Sequence, residues 1–149
     1  MMRLVIQRVT KASVSVNNEI VSQIGTGILV LAGIDQNDTE ADILYAAKKV
    51  SNLKIFPNEK EDFFSSIIDS GKLVLVISQF TLLAKTSKGS KPSFSRAADR
   101  VKAKKLFSYF LEELASLGIK VETGVFGAHM QVNSINDGPV TLLIDSKSK

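Results

Sequence analysis

The chain has 149 residues, 44% hydrophobic and 23% charged, with 19 basic and 15 acidic side chains and a net charge of +4. That is the size and balance of one globular domain with a full core, and the modest basic excess suits an anionic partner without resembling a basic tail. The absence of cysteine excludes disulfides, thiolate nucleophiles and zinc–thiolate centres, and the single histidine, His129, excludes a two-histidine metal site.

Residues 3–9 alternate apolar and polar, and Ala12–Val16 repeats the period-two pattern with Val14 and Val16 on one face. This start reads as a strand of the mature protein, not a signal peptide. No apolar run reaches the ~18 residues of a membrane span, so no membrane partner is expected, and the absence of cysteine fits a cytoplasmic protein. Asn17-Asn18 tolerates positive φ and predicts a hairpin into a return strand at Glu19–Gly25. Gly27–Ile34 is almost continuously apolar, as a strand covered on both faces would be.

After a loop at 35–38, Thr39 and Asp42 resemble a capping box opening a helix over 40–52, with the stripe Ile43, Leu44, Ala47, Val50 and Leu53. The acidic cluster Asp35, Asp38, Glu40 and Asp42 coincides with that helix N-terminus, where acids belong. It lacks EF-hand spacing, and neither a metal nor a cofactor is expected. Leu53–Phe56 is extended and Pro57 stops it; residues 58–71 have no clear period and predict an irregular segment docked on the core. Lys72–Ile77 is a β-branched central strand that runs into Ser78-Gln79-Phe80-Thr81-Leu82-Leu83. The polar, basic loop Lys85–Ser93 follows. A second helix, capped by Asp99, carries the stripe Ala103, Leu106, Phe107, Phe110, Leu111, Leu114 and Leu117, and Gly118 closes it.

Strands are expected at 119–123 and 130–135. A turn at 136–138 then launches a last strand at 139–144, and the tail from Asp145 is expected to fray. Two strands, two strand–helix units and three strands predict an α/β fold. It is a single domain over 1–149, with strongly curved mixed β-sheet layers and two helices packed on one face.

Ser78 and Thr81 lie at the C-terminal end of the central strand, where active groups of α/β sheets sit. There is no Gly-x-Ser-x-Gly elbow, and only His129 can serve as base in a triad. The same hydroxyls also fit a strand that satisfies its own backbone, and His129 fits a surface residue. Eight cations fall within 21 residues: Lys85, Lys88, Lys91, Arg96, Arg100, Lys102, Lys104 and Lys105. They suit a nucleic-acid backbone or a solvated helix face. Gly138-Pro139 sits where a strand begins; proline has no N–H to give a ladder, and an X-Pro bond is the one peptide bond that is sometimes cis.

Four stretches, in order along essentially the whole chain, resemble the D-aminoacyl-tRNA deacylase family. They are Ile6-Gln7-Arg8-Val9, Ser78-Gln79-Phe80-Thr81-Leu82, Lys88-Gly89-Ser90-Lys91-Pro92-Ser93-Phe94 and Asn136-Asp137-Gly138-Pro139-Val140-Thr141. The resemblance implies a homodimer that hydrolyses the ester joining a D-amino acid, or glycine mischarged on tRNA(Ala), to the 3′ end of tRNA. It implies a cis Gly138–Pro139 bond whose carbonyls enter the partner's active site, hold the substrate ammonium and exclude an L side chain. Arg8 would brace that pair and Met130 would line the amino-acid pocket. Catalysis would be assisted by the 2′-hydroxyl of the terminal adenosine. The N–H groups of Phe80 and Thr81 would hold the oxyanion, with Thr81 positioning the substrate and Ser78 and Gln79 orienting it. An older reading of the family makes Thr81 the nucleophile. Lys85, Lys88, Lys91 and Arg96 would meet the tRNA. Two departures stand out. His129 occupies the place before Met130 where the family has an acidic or small residue, and Glu59–Asp69 lacks a Lys-Met-Asn-like pattern. A non-enzymatic nucleic-acid-binding protein on the same fold is the alternative.

Overall fold

The structure, a computed structural model, describes residues 1–148. Its elements run β1 (Arg3–Val16), β2 (Glu19–Ile24), β3 (Gly27–Gly33), α1 (Glu40–Asn52), α2 (Ile67–Ser70), β4 (Leu73–Ser78), a 3-10 turn (Phe80–Leu83), α3 (Arg100–Ser116), β5 (Lys120–Thr123) and β6 (Gln131–Asp145). They form one six-stranded mixed sheet. β3, β4 and β5 are parallel neighbours, whereas β1 is antiparallel to β2, β3 and β6.

The long strand β1 organises the sheet. Its first half pairs with β3 and its second half with β2, while β6 follows it along both halves. Leu4 and Ile6 face one core, whereas Val9, Ala12 and Val14 face another. Strict alternation would not give that sequence of faces. Between Val9 and Lys11, two steps along β1 correspond to one step along β6, from Asn136 to Ile135. The extra residue on β1 inverts the side-chain parity, so one strand serves both cores. The curl is closed across the far side by Ser22, whose hydroxyl donates to the Thr123 carbonyl at 2.8 Å and links β2 to β5.

α1 and α3 cover one face, as the element order predicts. Ile43, Ala46, Ala47 and Val50 from α1 and Leu106, Phe107, Phe110 and Leu114 from α3 are buried against Leu4, Ile6, Val30 and Val76. Leu44, placed in the α1 stripe from sequence, is 46% exposed; it stands about 100° round the helix from Ile43, and Ala46 takes the inward place. The second core, inside the curl, holds Val9, Ala12, Val14, Ile24, Leu29, Leu75 and Ile77.

Three sequence-based expectations are corrected. Residues 58–71 are not wholly irregular: Ser65 bridges Phe56, and Ser66 caps the short helix α2 by accepting from the Asp69 N–H. The tail does not fray at Asp145. Ser146 exchanges backbone and side-chain hydrogen bonds with Met2 and gives its hydroxyl proton to Asp42, which Lys147 also meets at 3.0 Å. The last two strands are one strand, β6, and Asn136-Asp137-Gly138 is not a hairpin turn between them. Because the ladder to β1 continues on both sides, the interruption can only bulge outward: between Gln7↔Thr141 and Val9↔Asn136, two steps along β1 answer five along β6.

Candidate active site

Ser78 ends β4, and the Gln79 N–H donates to the Ala32 carbonyl at 2.8 Å. The chain then turns at once into the 3-10 turn, so Thr81 lies on that turn and not on the strand as the sequence suggested. Two features impose the turn. Leu83 is fully buried beneath it, and Gly33 leaves it room, since a Cβ there would lie 2.6 Å from Leu83 Cδ2 and 2.8 Å from the Gln79 carbonyl. The N–H groups of Phe80 and Thr81 open the turn and have no acceptor within it; Leu82 is the first residue to donate back, to Gln79. The Gln79 amide hydrogen-bonds the Thr81 hydroxyl.

Beside the turn is a cavity of about 420 Å³. Ser78, Gln79, Phe80, His129 and Met130 line it, as does Arg100, which is exposed to solvent. Met130 fits because Gly124 is bare there: a Cβ on it would sit 2.6 Å from the sulfur. Half-exposed Phe80 meets Phe94 edge to face, with centroids 5.2 Å apart. The basic loop is pinned at its base by mutual Lys85–Ser93 backbone bonds of 2.8 and 3.0 Å. Lys85, Lys88 and Lys91 are exposed and form no ion pair among the described residues. Arg96 differs: its guanidinium is held by buried Asp35 at 3.1 Å.

The second group of expected residues lies elsewhere. Arg8 is 6% exposed and ties three segments together. Its Nε donates to the Asp137 carbonyl at 3.0 Å, and its Nη1 donates to the carbonyls of Ile55 at 2.9 Å and Asp62 at 3.2 Å. The Asp137 carboxylate lies 3.6 Å from the same Nε. Asn136 closes the base of the bulge by accepting from the Val140 N–H at 2.8 Å and donating to the Thr141 hydroxyl at 2.9 Å. Gly138 has φ +134, which side chains rarely adopt, and the Gly138–Pro139 bond is cis. Both residues are exposed.

Ser78, Gln79, Phe80, Thr81 and Met130 thus come together, as do Arg8, Gly138 and Pro139, but the two groups stay apart. Arg8 is opposite Ile28 and Ser78 opposite Ala32, with β6, β1, β3 and β4 side by side. Four residues along a strand and three strand spacings across make roughly 20 Å measured along the sheet. Gly138 and Pro139 do not line the cavity of their own chain.

The acidic cluster has a separate task. Asp42 accepts from the Thr39 N–H at 3.0 Å, from Ser146 at 2.7 Å and from Lys147 at 3.0 Å. Burial opposes its ionisation, but these partners prevail and hold it down at about 2. Asp35 is likewise lowered: burial is outweighed by the Asn37 N–H, the Met1 ammonium and Arg96. Asp38 is raised by burial despite the Met1 ammonium 2.6 Å away. Among the described residues no group of three or more acidic or histidine side chains is arranged to hold a metal ion.

Sequence reasoning did not assign the carbonyls of Ile55 and Asp62 to Arg8, nor Arg100 to the cavity. For Arg100 a signal was present: a cation at the first position of a helix, where it opposes the helix dipole.

A family model described as D-Tyr-tRNA(Tyr) deacylase matches residues 5–145. The D-aminoacyl-tRNA deacylase of Thermosipho melanesiensis is 50% identical over 147 residues, covering 98% of each chain. Those of Dechloromonas aromatica and Chlorobaculum tepidum are 52% and 49% identical, covering 98% and 99% of each chain. A solved structure described as the c-Myc DNA Unwinding Element Binding Protein superposes with a TM-score of 0.91 at 39% identity, over 98% of this chain and 99% of its own. Another, of a probable eukaryotic D-amino acid tRNA deacylase, gives 0.84 at 18% identity over 96% and 98%, which bears on the fold alone. The family match over almost the whole chain and relatives at half identity place this protein in the D-aminoacyl-tRNA deacylase family, whose members are hydrolases acting on aminoacyl-tRNA.

Proposed function

We propose that this protein hydrolyses the ester of D-aminoacyl-tRNA, and of glycine mischarged on tRNA(Ala), in the cytoplasm and as a homodimer. The observation that carries the reading is the separation of the two groups of residues in a chain half identical to D-aminoacyl-tRNA deacylases. Gly138 and Pro139 do not line the cavity that Ser78, Gln79 and Phe80 line, so within one chain the bulge stands outside the site that would hold the ester. A second copy, related by a twofold axis, would supply the bulge.

In this reading the aminoacyl adenosine enters the cavity beside Met130. Ser78 and Gln79 orient it, and the Gln79–Thr81 hydrogen bond fixes the turn. Water attacks the ester carbonyl, its oxygen takes the negative charge between the N–H groups of Phe80 and Thr81, and the ribose 3′-oxygen leaves. Such donors are worth about 3–4 kcal/mol each in other enzymes. The neighbouring 2′-hydroxyl assists the proton transfers, so no side-chain nucleophile is required. The partner's bulge receives the substrate ammonium on its carbonyls and leaves no room for an L side chain. Lys85, Lys88 and Lys91 meet the tRNA backbone.

The decisive assay is release of D-tyrosine from D-tyrosyl-tRNA, with L-tyrosyl-tRNA as control. Equal rates on both, or none on either, refute the reading. Thr81→Ala and His129→Ala retain measurable hydrolysis; complete loss in the first revives a threonine nucleophile, and in the second a histidine base. The shared site is tested by mixing a cavity-filling variant, Ala103→Phe, with a bulge variant, Gly138→Val. Random reassortment restores about a quarter of wild-type activity, from one intact site in half of the dimers. No recovery excludes a shared site.

The solved structure at 39% identity described as a DNA unwinding element binding protein favours a second reading, nucleic-acid binding without hydrolysis. Tight binding of duplex DNA by a preparation that releases no D-amino acid would establish it.

A further inference from the structure

We propose that Arg100 binds the phosphodiester that joins the terminal nucleotide of the substrate to the rest of the strand. This rests on the deacylase reading. The chain has four arginines. Arg3, Arg8 and Arg96 each meet a carboxylate, of Asp145, Asp137 and Asp35 respectively. Arg100 has neither a carboxylate nor a hydrogen-bond acceptor among the described residues, although it is exposed and lines the same cavity as Ser78, Gln79 and Phe80.

The Arg100 guanidinium lies over Gly127, where a Cβ would fall 2.8 Å from Nη2, 3.0 Å from Cζ and 3.1 Å from Nη1. Gly127 also has φ +77, so a side chain there would be strained as well as crowded. Arg100 does not serve the helix that carries it. It is the first residue of α3, where a cation opposes the helix dipole; the Asp99 cap answers that dipole by accepting from the Lys102 N–H and forms no ion pair with Arg100 among the described residues. Lys102, nearby on α3, is tied to the Gln36 carbonyl, whereas Arg100 lines the cavity without a partner among the described residues.

A cavity of about 420 Å³ suits one aminoacylated nucleoside. The next group of an RNA 3′ end is the 5′-phosphate of that nucleoside, and it must lie at the edge. A planar fork of donors fits its oxygens better than a lysine would.

The test uses 3′-O-(D-tyrosyl)adenosine with and without a 5′-phosphate, alongside D-tyrosyl-tRNA. In the wild type the phosphate raises kcat/KM about tenfold, the scale of one charged hydrogen-bonded contact. Arg100→Gln removes most of that gain, and Arg100→Lys keeps part of it. With D-tyrosyl-tRNA, Arg100→Gln makes the dependence of log KM on log salt shallower by about 0.7, one single-strand phosphate contact. Its melting temperature stays at or above that of the wild type. A phosphate gain in Arg100→Gln equal to wild type overturns the proposal. So does an equal loss on both adenosine esters, a loss selective for D-aspartyl over D-tyrosyl esters (a side-chain carboxylate would then be the anion read), or a fall in melting temperature. Wild-type protein inactive on all three substrates would instead refute the deacylase reading itself, and this inference with it.

Discussion

Arg8→Met isolates the clamp behind the bulge. The substitution keeps a long apolar stem in a site that is 6% exposed and removes the donors to Asp137, Ile55 and Asp62. Charged hydrogen bonds contribute about 1.5–3 kcal/mol each, but they do not add, and removing the buried guanidinium recovers its own desolvation. The Ile55 carbonyl bond is buried and the Asp137 bond partly so, and the Asp137 carboxylate is 46% exposed. A net loss of about 3 kcal/mol follows. At roughly 2–4 °C per kcal/mol for a chain of this size, melting falls by about 6–12 °C. Arg8→Lys loses about half as much, since one ammonium cannot reach three carbonyls in three segments. Thermal and urea unfolding measure this, and D-tyrosyl-tRNA hydrolysis at 25 °C, where the variants remain folded, falls with it as the bulge loses its anchor. If Arg8→Met melts within about 2 °C of wild type, the three-carbonyl clamp does not hold the bulge, and the account of Arg8 fails.

Gly33→Ala drives a methyl group into Leu83 and the Gln79 carbonyl, costs about 1–3 kcal/mol, and lowers kcat more than it lowers stability; an unchanged kcat means the 3-10 turn is not held by that contact. Asp42 has a folded pKa depressed to about 2, below its value of 3.8 as a free side chain, so its contribution is full above about pH 4 and is lost as pH falls towards 2. Urea unfolding of Asp42→Asn against wild type shows a gap of about 1–2 kcal/mol at pH 6 that closes over that window; a gap independent of pH contradicts the assignment. Replacing Lys85, Lys88 and Lys91 together by Ala weakens tRNA binding and flattens its salt dependence without changing melting, because all three are exposed and form no ion pair among the described residues. A salt slope equal to wild type shows that the loop does not meet the RNA.

Much of this was legible before the fold was known. Period two in Arg3–Val9 and Ala12–Val16, the apolar run Gly27–Ile34, the spacing of three and four in α3, and the Thr39 and Asp99 caps mark local preferences, which hydrogen bonding, burial and side-chain parity fix over a few residues. Where the reading failed, a distant partner decided. Asn136-Asp137-Gly138-Pro139 has every local sign of a turn, but β1 extends past it on both sides and keeps the two halves of β6 in one ladder, so the turn chemistry yields a bulge. Ser146 and Lys147 look like a polar tail until Met2 and Asp42 meet them.

The candidate site divides the same way. Arg8, Ser78–Thr81 and Gly138–Pro139 were singled out by the resemblance; local chemistry alone offered hydroxyls at a strand end and a proline without an N–H at a strand start. Their grouping could not be read from the sequence, since it depends on contacts between residues up to 129 apart in the chain, such as Arg8 with Asp137. The tertiary structure alone showed that the Gln79–Thr81 turn and the Gly138–Pro139 bulge occupy different parts of one sheet. It alone showed that, among four arginines, Arg100 lines the cavity without a partner among the described residues. The physical reason is that charge compensation is settled by which side chains the packed sheet and helices bring within a few ångströms, and no pattern in the order of residues records that distance.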